Sequence, residues 1–246
     1  MNDIAIKVRD AGVVGSGGAG FPTHVKLATP VEIYLVNGAE CEPLLKVDQQ
    51  LAVKYAHQLV RGLQLAMQAV GAREGVIAFK AKYTEAIAAV QPLLASNMRI
   101  HILKDVYPAG DEVITIWMAT GRRVPPAALP KDVGVAVNNV LTLIHLARAV
   151  DDASPVIDRT LTISGAVSDP ITVTVPVGTS MREVIARAGT ITVDKPFFVN
   201  GGPMMGKLID SIDQPITKTT GGIIVLPEDH IVIRRHRQPM QDVLAI

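Results

Sequence analysis

A glycine-rich segment at residues 15–23, Gly-Ser-Gly-Gly-Ala-Gly-Phe-Pro-Thr, is the first place where residue types and spacing could do chemistry. Its glycines match the dinucleotide-binding string G-x-G-x-x-G, but Pro22 disfavours the helix that follows in a Rossmann turn. Clustered glycines still let a backbone lie flat against a ligand and present N–H groups to a phosphate or a ring. Lys26 is near enough along the chain to add a positive charge. The segment therefore predicts a ligand-binding loop, with a flexible surface loop as the alternative.

Three further groups of polar residues each follow a stretch that predicts a β-strand, at residues 31–36, 99–103 and 134–137. The carboxyl ends of parallel strands meet at one edge of an open α/β sheet, where ligands bind. We therefore expect these groups to lie together, although each could also be a turn, a helix-dipole partner or a helix cap. The residues are Asn37, Glu40 and Glu42 after the first stretch, Tyr107, Gly110, Asp111 and Glu112 after the second, and Asn138 and Asn139 after the third.

Cys41 is the single cysteine of the 246 residues, and it lies within the first of these groups. One thiol excludes an internal disulfide framework, a cysteine-rich zinc site and a four-thiolate iron–sulfur cluster held by this chain. The six histidines show no metal-ligand spacing, so the sequence predicts no metal site. With 24 Lys and Arg against 23 Asp and Glu, the net charge of +1 gives no general attraction for nucleic acid or an acidic membrane.

The elements that must position these residues alternate between short aliphatic stretches and longer amphipathic ones. Such alternation predicts an α/β fold with a mostly parallel, Rossmann-like sheet and helices on both faces. No stretch reaches 18 uninterrupted apolar residues and the N-terminus has no signal-peptide core, so we expect a cytoplasmic protein without membrane insertion. The predicted strands are 31–36, 75–79, 99–103 and 134–137, and the predicted helices are 48–70, 83–94, 111–120 and 140–150.

The pattern of residue types changes after a short polar linker at residues 151–155. A Thr- and Val-rich hairpin, one helix and a returning strand then predict a small β-grasp domain. We therefore expect an α/β domain over 1–152, a β-grasp domain over 153–206 and a C-terminal strand and tail over 207–246. The predicted elements are strands at 160–167, 171–177, 197–200 and 221–226, a helix at 181–188 and a polar tail at 228–246.

In combination and in this order, the motifs resemble those of the flavin-binding subunit of respiratory complex I. The chain looks closer to the RnfC-like branch of that family, which includes the cobalamin reductases of propanediol-utilisation microcompartments, and residues 156–205 resemble its SLBB β-grasp module. The resemblance implies binding of FMN and NADH by residues 1–152. It assigns Gly15, Gly17 and Gly18 to FMN and the nucleotide, Lys26 to the FMN phosphate, Asn37, Tyr107, Gly110, Asp111, Glu112, Asn138 and Asn139 to the flavin or its ribityl chain, and Phe21, Glu40 and Glu42 to the NADH side.

The activity that the resemblance implies is oxidation of NADH by bound FMN, a hydride transfer in which the protein positions two rings and no side chain acts as acid or base. Electrons would pass to iron–sulfur clusters in a further domain that this chain lacks, and then to cobalamin. The implied partners besides NADH are cobalamin or a corrinoid-handling enzyme, and proteins of a bacterial microcompartment, where the protein would reside. Two alternatives stay open. One is the RnfC subunit of an ion-translocating ferredoxin–NAD oxidoreductase, and the other is a non-catalytic module whose β-grasp domain holds a corrinoid or a partner protein.

Overall fold

The computed structural model of the protein describes residues 2–238, which form two compact units. The first unit contains residues 2–41 and 48–156, and the second contains residues 42–47 and 157–238. The short segment 42–47 thus belongs to the second unit although the first unit flanks it on both sides in the sequence. Over the described range, no helix combines the length and the apolar character needed to cross a membrane.

The first unit alternates strands and helices, as the sequence predicts. In chain order its elements are α1 (Asp3–Asp10), α2 (Thr23–Lys26), β1 (Ile33–Asn37), α3 (Val47–Lys54), α4 (Ala56–Val70), β2 (Glu74–Lys80), α5 (Thr84–Val90), β3 (Met98–Leu103), α6 (Glu112–Thr120), β4 (Val135–Asn139) and α7 (Val140–Asp151), with short 3-10 turns at Gln91–Leu93 and Pro130–Val133.

Strands β1 to β4 form a parallel sheet in the order β3-β2-β1-β4. The chain adds β2 and β3 on one side of β1 and then returns to add β4 on the other side. The strand order therefore reverses between β1 and β4. In open α/β sheets, the crevice outside the carboxyl ends of the strands at such a reversal is where ligands bind.

Helices cover both faces of this sheet. On one face, Ile116 of α6 shares a buried cluster with Leu35 of β1 and Val137 of β4. On the other face, α4 and α7 pack against each other and against the strands, and the alternate strand residues Tyr34 and Ile77 are fully buried. The predicted parallel sheet with helices on both faces is confirmed.

The single helix predicted over 48–70 is wrong, because α3 and α4 are separated at Tyr55. Its φ of −124° and ψ of 38° lie outside the helical region. The Tyr55 ring lies 4.6 Å from the guanidinium of Arg148, which belongs to α7. The apolar spacing continues across the break, so the local pattern resembles one helix, and the partner of the Tyr55 ring is distant in sequence.

The second unit is built on a mixed sheet in the order β6-β5-β9-β7-β8. Strand β5 pairs antiparallel with β6 and parallel with β9, and α8 contributes Val184 to a buried cluster with Leu161 and Ile223. This arrangement confirms the small β-grasp part of the predicted fold. Its elements are β5 (Asp158–Gly165), β6 (Ile171–Pro176), α8 (Met181–Ala186), β7 (Pro196–Asn200), β8 (Lys207–Leu208), β9 (Gly222–Pro227) and α9 (Ile231–Arg237).

The sheet of the second unit continues past residue 206, the end expected for the β-grasp domain. Strand β9 lies between β5 and β7, so it is an interior strand of that sheet. The polar tail predicted over 228–246 is corrected by α9, whose Ile233 is buried in a cluster with Val199 and Leu226. The apolar residues of α9 are confined to its first three positions, and the four that follow are charged or polar, so the sequence has no helical apolar spacing there. Residues 239–246 of that predicted tail lie outside the described residues.

Segment 42–47 is held in the second unit by polar and apolar contacts. The carboxylate of Glu42 accepts hydrogen bonds from the backbone N–H groups of Met204 and Met205, at 2.8 and 2.7 Å. Leu45 joins the buried cluster that contains Val199. The segment is therefore part of the core of the second unit and not a surface loop of the first.

Candidate functional site

The carboxyl ends of β1 and β4 form the centre of the candidate site. Asn37 ends β1 and Asn139 ends β4, and the two residues are neighbours in the strand register. They stand at the point where the strand order reverses. The sheet thus brings the polar groups after two of the predicted strands to the position where α/β folds bind ligands.

The glycine loop lies beside the end of β4. The Gly15 N–H donates to the Phe21 carbonyl at 2.8 Å, which closes the loop on itself, and the Ser16 N–H donates to Thr142 Oγ1 in the first turn of α7 at 2.9 Å. Gly18 has a φ of +110°, a conformation that side chains disfavour. A Cβ on Gly17 would lie 3.6 Å from the Cβ of Asn139. The loop is therefore anchored next to the strand reversal, and its glycines have no side chains that would cover the backbone.

Lys26 joins three parts of the site. Its Nζ donates to the Val137 carbonyl of β4 at 2.7 Å and lies 3.2 Å from Oε1 of Glu112 in the first turn of α6. The ammonium is also 5.8 Å from the centre of the Phe21 ring. The structure thus places a fixed cation between the glycine loop and the start of α6, where it can neutralise an anionic group.

Residues at the end of β1 and in the loop after it form hydrogen bonds with both backbone polar groups of Gly110. The Gly110 N–H donates to Cys41 Sγ at 2.9 Å, and its carbonyl accepts from Asn37 Nδ2 at 2.8 Å. The Ala39 carbonyl leaves no room for a Cβ at this position. Asp111 then caps α6 by accepting the N–H groups of residues 113 and 114, each at 3.0 Å. Asn37 and Cys41 therefore fix the start of α6, and this role of Cys41 was missed from the sequence.

Both polar atoms of the Asn139 side chain form hydrogen bonds within the protein. Its Oδ1 accepts the Leu141 N–H at 2.9 Å, which caps α7, and its Nδ2 donates to Oδ2 of Asp48 at 2.7 Å. Asp48 is buried in the first turn of α3. Sequence reasoning missed Asp48, although an acidic residue at the start of a predicted helix was visible.

Asn138 differs from its neighbour in having an unused donor. The residue is 5% exposed, and its Nδ2 has no hydrogen-bond partner within the described part of the chain. A buried donor without an acceptor costs about 1–3 kcal/mol. Asn138 pairs in register with Val36, next to the reversal between β1 and β4. This donor fits a ligand that brings acceptor atoms, such as the carbonyl, ring nitrogen and hydroxyl groups of a flavin nucleotide.

The remaining predicted residues are more peripheral. Tyr107 is 53% exposed in the loop before α6. The backbone carbonyl of Glu40 accepts a hydrogen bond from the Tyr83 hydroxyl at 3.0 Å, and burial, together with nearby Glu40 and Asp48, raises the pKa of Tyr83. Glu42 belongs to the second unit, with the contacts described above. Across residues 2–238, no group of three or more His, Cys, Asp or Glu side chains is arranged to hold a metal ion.

Two family models match the chain. The model of the Nuo51 FMN-binding domain matches residues 8–148, which is more than half of the chain, and that of the SLBB domain matches residues 160–208. The chain belongs to the Nuo51 FMN-binding domain family. The resemblance to the complex I flavin-subunit family and to its SLBB module is confirmed. In this FMN-binding domain, the matched range includes the glycine loop, Lys26, Asn37, the start of α6 and Asn138.

Individual relatives of this Nuo51-family chain are also identifiable. It is 64% identical over 245 residues to the cobalamin reductase PduS of Salmonella typhimurium, which covers 100% of this chain and 54% of that protein. It is 40% identical over 238 residues to a component of the Na(+)-translocating ferredoxin:NAD(+) oxidoreductase complex of Acetobacterium woodii, covering 93% and 54% respectively. The chain spans about half the length of the curated relatives it matches.

A solved structure supports the same architecture. One chain of an NAD+-reducing NiFe-hydrogenase, in the H2-reduced state, matches with a TM-score of 0.79 and 25% identity, covering 95% of this chain and 48% of that chain. The Nuo51-family chain described here thus shares the fold of a protein that handles NAD+.

Proposed function

We propose that this chain is the FMN-dependent, NADH-oxidising module of a cobalamin reductase. The observation that carries the proposal is the buried, unused Nδ2 donor of Asn138 at the strand reversal of a Nuo51 FMN-binding domain. A flavin nucleotide brings the acceptor that this donor lacks. The 64% identity to the cobalamin reductase PduS of Salmonella typhimurium supports the physiological role.

The residues around the reversal would divide the work of holding FMN. Lys26 would place its ammonium on the phosphate, and the backbone of Gly15, Gly17 and Gly18 would lie against the flavin and the nucleotide. Asn138 would donate to the flavin or its ribityl chain. Asn37 would hold Gly110, and Asn139 would hold the start of α7, so that both shape the pocket through the backbone. Bound FMN supplies the chemistry, a ring that accepts a hydride and releases electrons one at a time.

The dinucleotide would meet the site from the side of the glycine loop. Phe21 is 46% exposed, and its ring lies beside Lys26 and offers an apolar face to a nucleotide ring. Glu40 is proposed on this side as well. Tyr107, Asp111 and Glu112 are proposed around the flavin itself. No side chain in this arrangement would need to act as an acid or a base, because the role of the residues would be to hold two rings in contact.

The whole enzyme would extend beyond the chain described here. Residues 1–152 would bind FMN and NADH, and residues 153–206 would form the SLBB domain. Residues 207–246 include β9, an interior strand of the same sheet, and would lead to iron–sulfur clusters in the part that the relatives have in addition. Electrons would travel through those clusters to cobalamin, in the setting of a propanediol-utilisation microcompartment. The higher identity to the cobalamin reductase than to the component of the Acetobacterium woodii complex, 64% against 40%, favours this role over the ferredoxin-linked one.

Reconstitution tests the proposal directly. The 246-residue chain is mixed with FMN, freed of unbound flavin by gel filtration and then treated with NADH under anaerobic conditions. We expect a retained flavin spectrum that NADH bleaches. Failure to retain FMN, or a retained flavin that NADH does not reduce, would overturn the proposal. If flavin is absent and a corrinoid binds the chain instead, the non-catalytic binding module becomes the better explanation.

The full-length protein separates the two enzymatic roles. With NADH as donor, a cobalamin reductase reduces cob(III)alamin or cob(II)alamin, whereas the alternative role predicts reduction of ferredoxin or its reverse. We expect the cobalamin substrate to be reduced. Electron transfer to ferredoxin alone would assign the chain to the ion-translocating complex instead.

A further inference from the structure

Two lysines after β2 share a single carboxylate. Lys80 is the last residue of β2, its side chain is 7% exposed, and its Nζ lies 3.6 Å from Oδ1 of Asp105. Lys82 reaches both oxygens of the same carboxylate, at 3.1 and 3.3 Å. The hydrogen bond from Lys82 is the main cause that lowers the pKa of Asp105. The buried Lys80 ammonium is thus farther from the Asp105 carboxylate than the ammonium of the exposed Lys82 is.

This arrangement leaves Lys80 short of negative charge. A buried ammonium is costly unless it is paired closely and hydrogen-bonded. Among residues 2–238, Asp105 is the one carboxylate within ion-pair distance of Lys80 Nζ. Asp105 is itself 57% exposed and can move away. Two ammonium groups with one carboxylate therefore form a place where a further anion would be stabilised.

Lys80 lies at the same edge of the sheet as the candidate flavin site. Ala78, two residues before it, is the register partner of Asn37 at the end of β1. Alternate residues of a strand share a face, so the Lys80 side chain is on the side of Val76 and Ala78, which share a buried cluster with Ile116 of α6. Two residues of strand advance the chain by roughly 7 Å. Strand β2 also lies one strand spacing, roughly 5 Å, beyond β1 from the reversal, so a ligand must extend from the reversal by roughly 10 Å, as a dinucleotide can, to reach this ammonium.

We propose that Lys80, assisted by Lys82, binds the diphosphate of the dinucleotide whose nicotinamide meets the flavin. Asp105 is the counter-ion that the phosphate oxygens replace. Three carboxylates act on the Tyr83 hydroxyl: Glu40, Asp48 and Asp105. Of these, Asp105 is the one that the two lysines neutralise, so Glu40 and Asp48 repel the phosphates and keep them on the Lys80 side of that tyrosine. This inference rests on the proposed function, because it names which part of NADH the site recognises and by which cation.

Steady-state oxidation of NADH by the FMN-loaded chain, with ferricyanide as electron acceptor, tests the inference. Lys80→Met should raise the KM for NADH about ten- to a hundredfold with little change in kcat, the loss of one charge-assisted hydrogen bond to phosphate. Lys80→Arg should restore most of the affinity. Asp105→Asn should lower the KM, because it removes the competing anion. Lys104→Met, which deletes an exposed charge next to Asp105, is the matched control and should change the KM less than twofold.

A shortened substrate distinguishes phosphate binding from a structural effect. Reduced nicotinamide riboside carries the reacting ring and no diphosphate, so the KM penalty of Lys80→Met should disappear with it. An unchanged KM for NADH in Lys80→Met, an equal penalty for both substrates, or a raised KM in Asp105→Asn would each overturn the inference. Should Lys80→Met fail to fold, Asp105→Asn still tests the site through a lowered KM for NADH, and Lys80→Arg tests it through a KM close to that of the wild type.

The inference can fail separately from the proposed function. If the wild-type chain oxidises NADH and the lysine variants behave like it, only the Lys80 subsite is wrong. If the wild-type chain does not oxidise NADH, calorimetric titration with ADP-ribose tests the subsite alone. Binding that Lys80→Met weakens supports the subsite, whereas no binding, or binding that this substitution leaves unchanged, overturns it.

Discussion

Asn138 and Asn139 are adjacent and chemically identical, but they do different work. Asn139 caps α7 with one end of its amide and donates to buried Asp48 with the other. Asn138 is more deeply buried than Asn139 and keeps an unused donor. Because a buried donor without a partner lowers stability, its persistence is best explained by a ligand that satisfies it. At the scale of single residues, the proposed flavin contact is therefore Asn138, whereas Asn139 holds the start of α7 in place beside it.

Replacing Asn138 with Leu tests this distinction. The FMN-free protein should gain about 1 kcal/mol in its free energy of unfolding, because an apolar side chain of similar size removes the unmade donor. The same protein should no longer retain FMN through gel filtration. Urea unfolding followed by fluorescence measures the stability, since Trp117 is the single tryptophan and lies in the first unit.

Asn139→Ala is the matched control for that experiment. It removes a helix cap and the donor to Asp48, so we expect a loss of about 1–2 kcal/mol in stability. The two variants should therefore move stability in opposite directions. An Asn138→Leu protein that is destabilised and still retains FMN would contradict the assignment.

At the scale of elements, the start of α6 is defined by its neighbours. Gly110 is held between Asn37 and Cys41, and Asp111 caps the helix directly after it. The helix thereby presents Glu112 to Lys26 at 3.2 Å. The position of this ion pair depends on the cap as much as on either charged residue.

Substitution of Asp111 separates the cap from the charge. Asp111→Ala should lower the free energy of unfolding by about 1 kcal/mol, because two backbone N–H groups lose their acceptor. Asp111→Asn should be nearly neutral for stability, since Asn caps as well as Asp. Trp117 in α6 itself reports the unfolding. If Asp111→Asn is stable but retains less FMN, the charge acts on the ligand, whereas equal stability of Asp111→Ala and wild type would refute the cap.

Glu32 joins the start of β1 to the start of β2 and to the end of α6, at the other end of the sheet. Its carboxylate accepts hydrogen bonds from Arg122, after α6, and from Arg73, before β2, each at 2.7 Å. The bond from Arg122, followed by that from Arg73, lowers the pKa of Glu32 below its ordinary value of 4.5. A folded-state pKa below the unfolded value stabilises the protein above the unfolded pKa, and the contribution disappears as pH falls through the folded pKa.

A pH series on Glu32→Gln checks that sign. At neutral pH the variant should have a lower free energy of unfolding than the wild type. The difference should be small, because the Glu32 carboxylate is exposed to solvent and its charge is screened. The difference should shrink below pH 4.5 and vanish in stronger acid. Chemical denaturation at each pH measures it, and a difference that grows in acid would have the wrong sign for a lowered pKa.

At the scale of the whole molecule, the chain divides into units that are not continuous in sequence. Segment 42–47 leaves the first unit and contributes Leu45 to the core of the second, where it shares a cluster with Val199 and Ile224. Glu42 adds its two hydrogen bonds to the turn between β7 and β8. The residues that flank this segment, Cys41 and Asp48, belong to the candidate site of the first unit. The second unit therefore cannot be defined by residues 157–238 alone.

Leu45→Ala tests that division. Truncating a core leucine costs about 2–5 kcal/mol, so amide hydrogen exchange in β7 and β9 should accelerate while exchange in β1 and β2 stays as in wild type. Leu44→Ala is the matched control, because Leu44 is 47% exposed and its truncation should leave exchange unchanged. Faster exchange confined to the first unit would show that the segment belongs there instead.

The sequence by itself determined the order and type of most elements, the parallel sheet and most of the polar residues at its edge. Strands buried on both faces are continuous aliphatic stretches, and helices carry apolar residues at a fixed spacing, so both can be identified locally. Only the tertiary structure decided how the polar residues are used, because their partners are distant: Lys26 meets Glu112 across 86 residues and Asn139 meets Asp48 across 91. The break at Tyr55, the helix α9 and the place of Glu42 in the second unit depend on distant contacts for the same reason. The spacing of apolar residues along the chain predicts which residues are buried. Contacts between distant segments determine that the buried Nδ2 of Asn138 keeps no protein partner within the described residues and is available to a ligand.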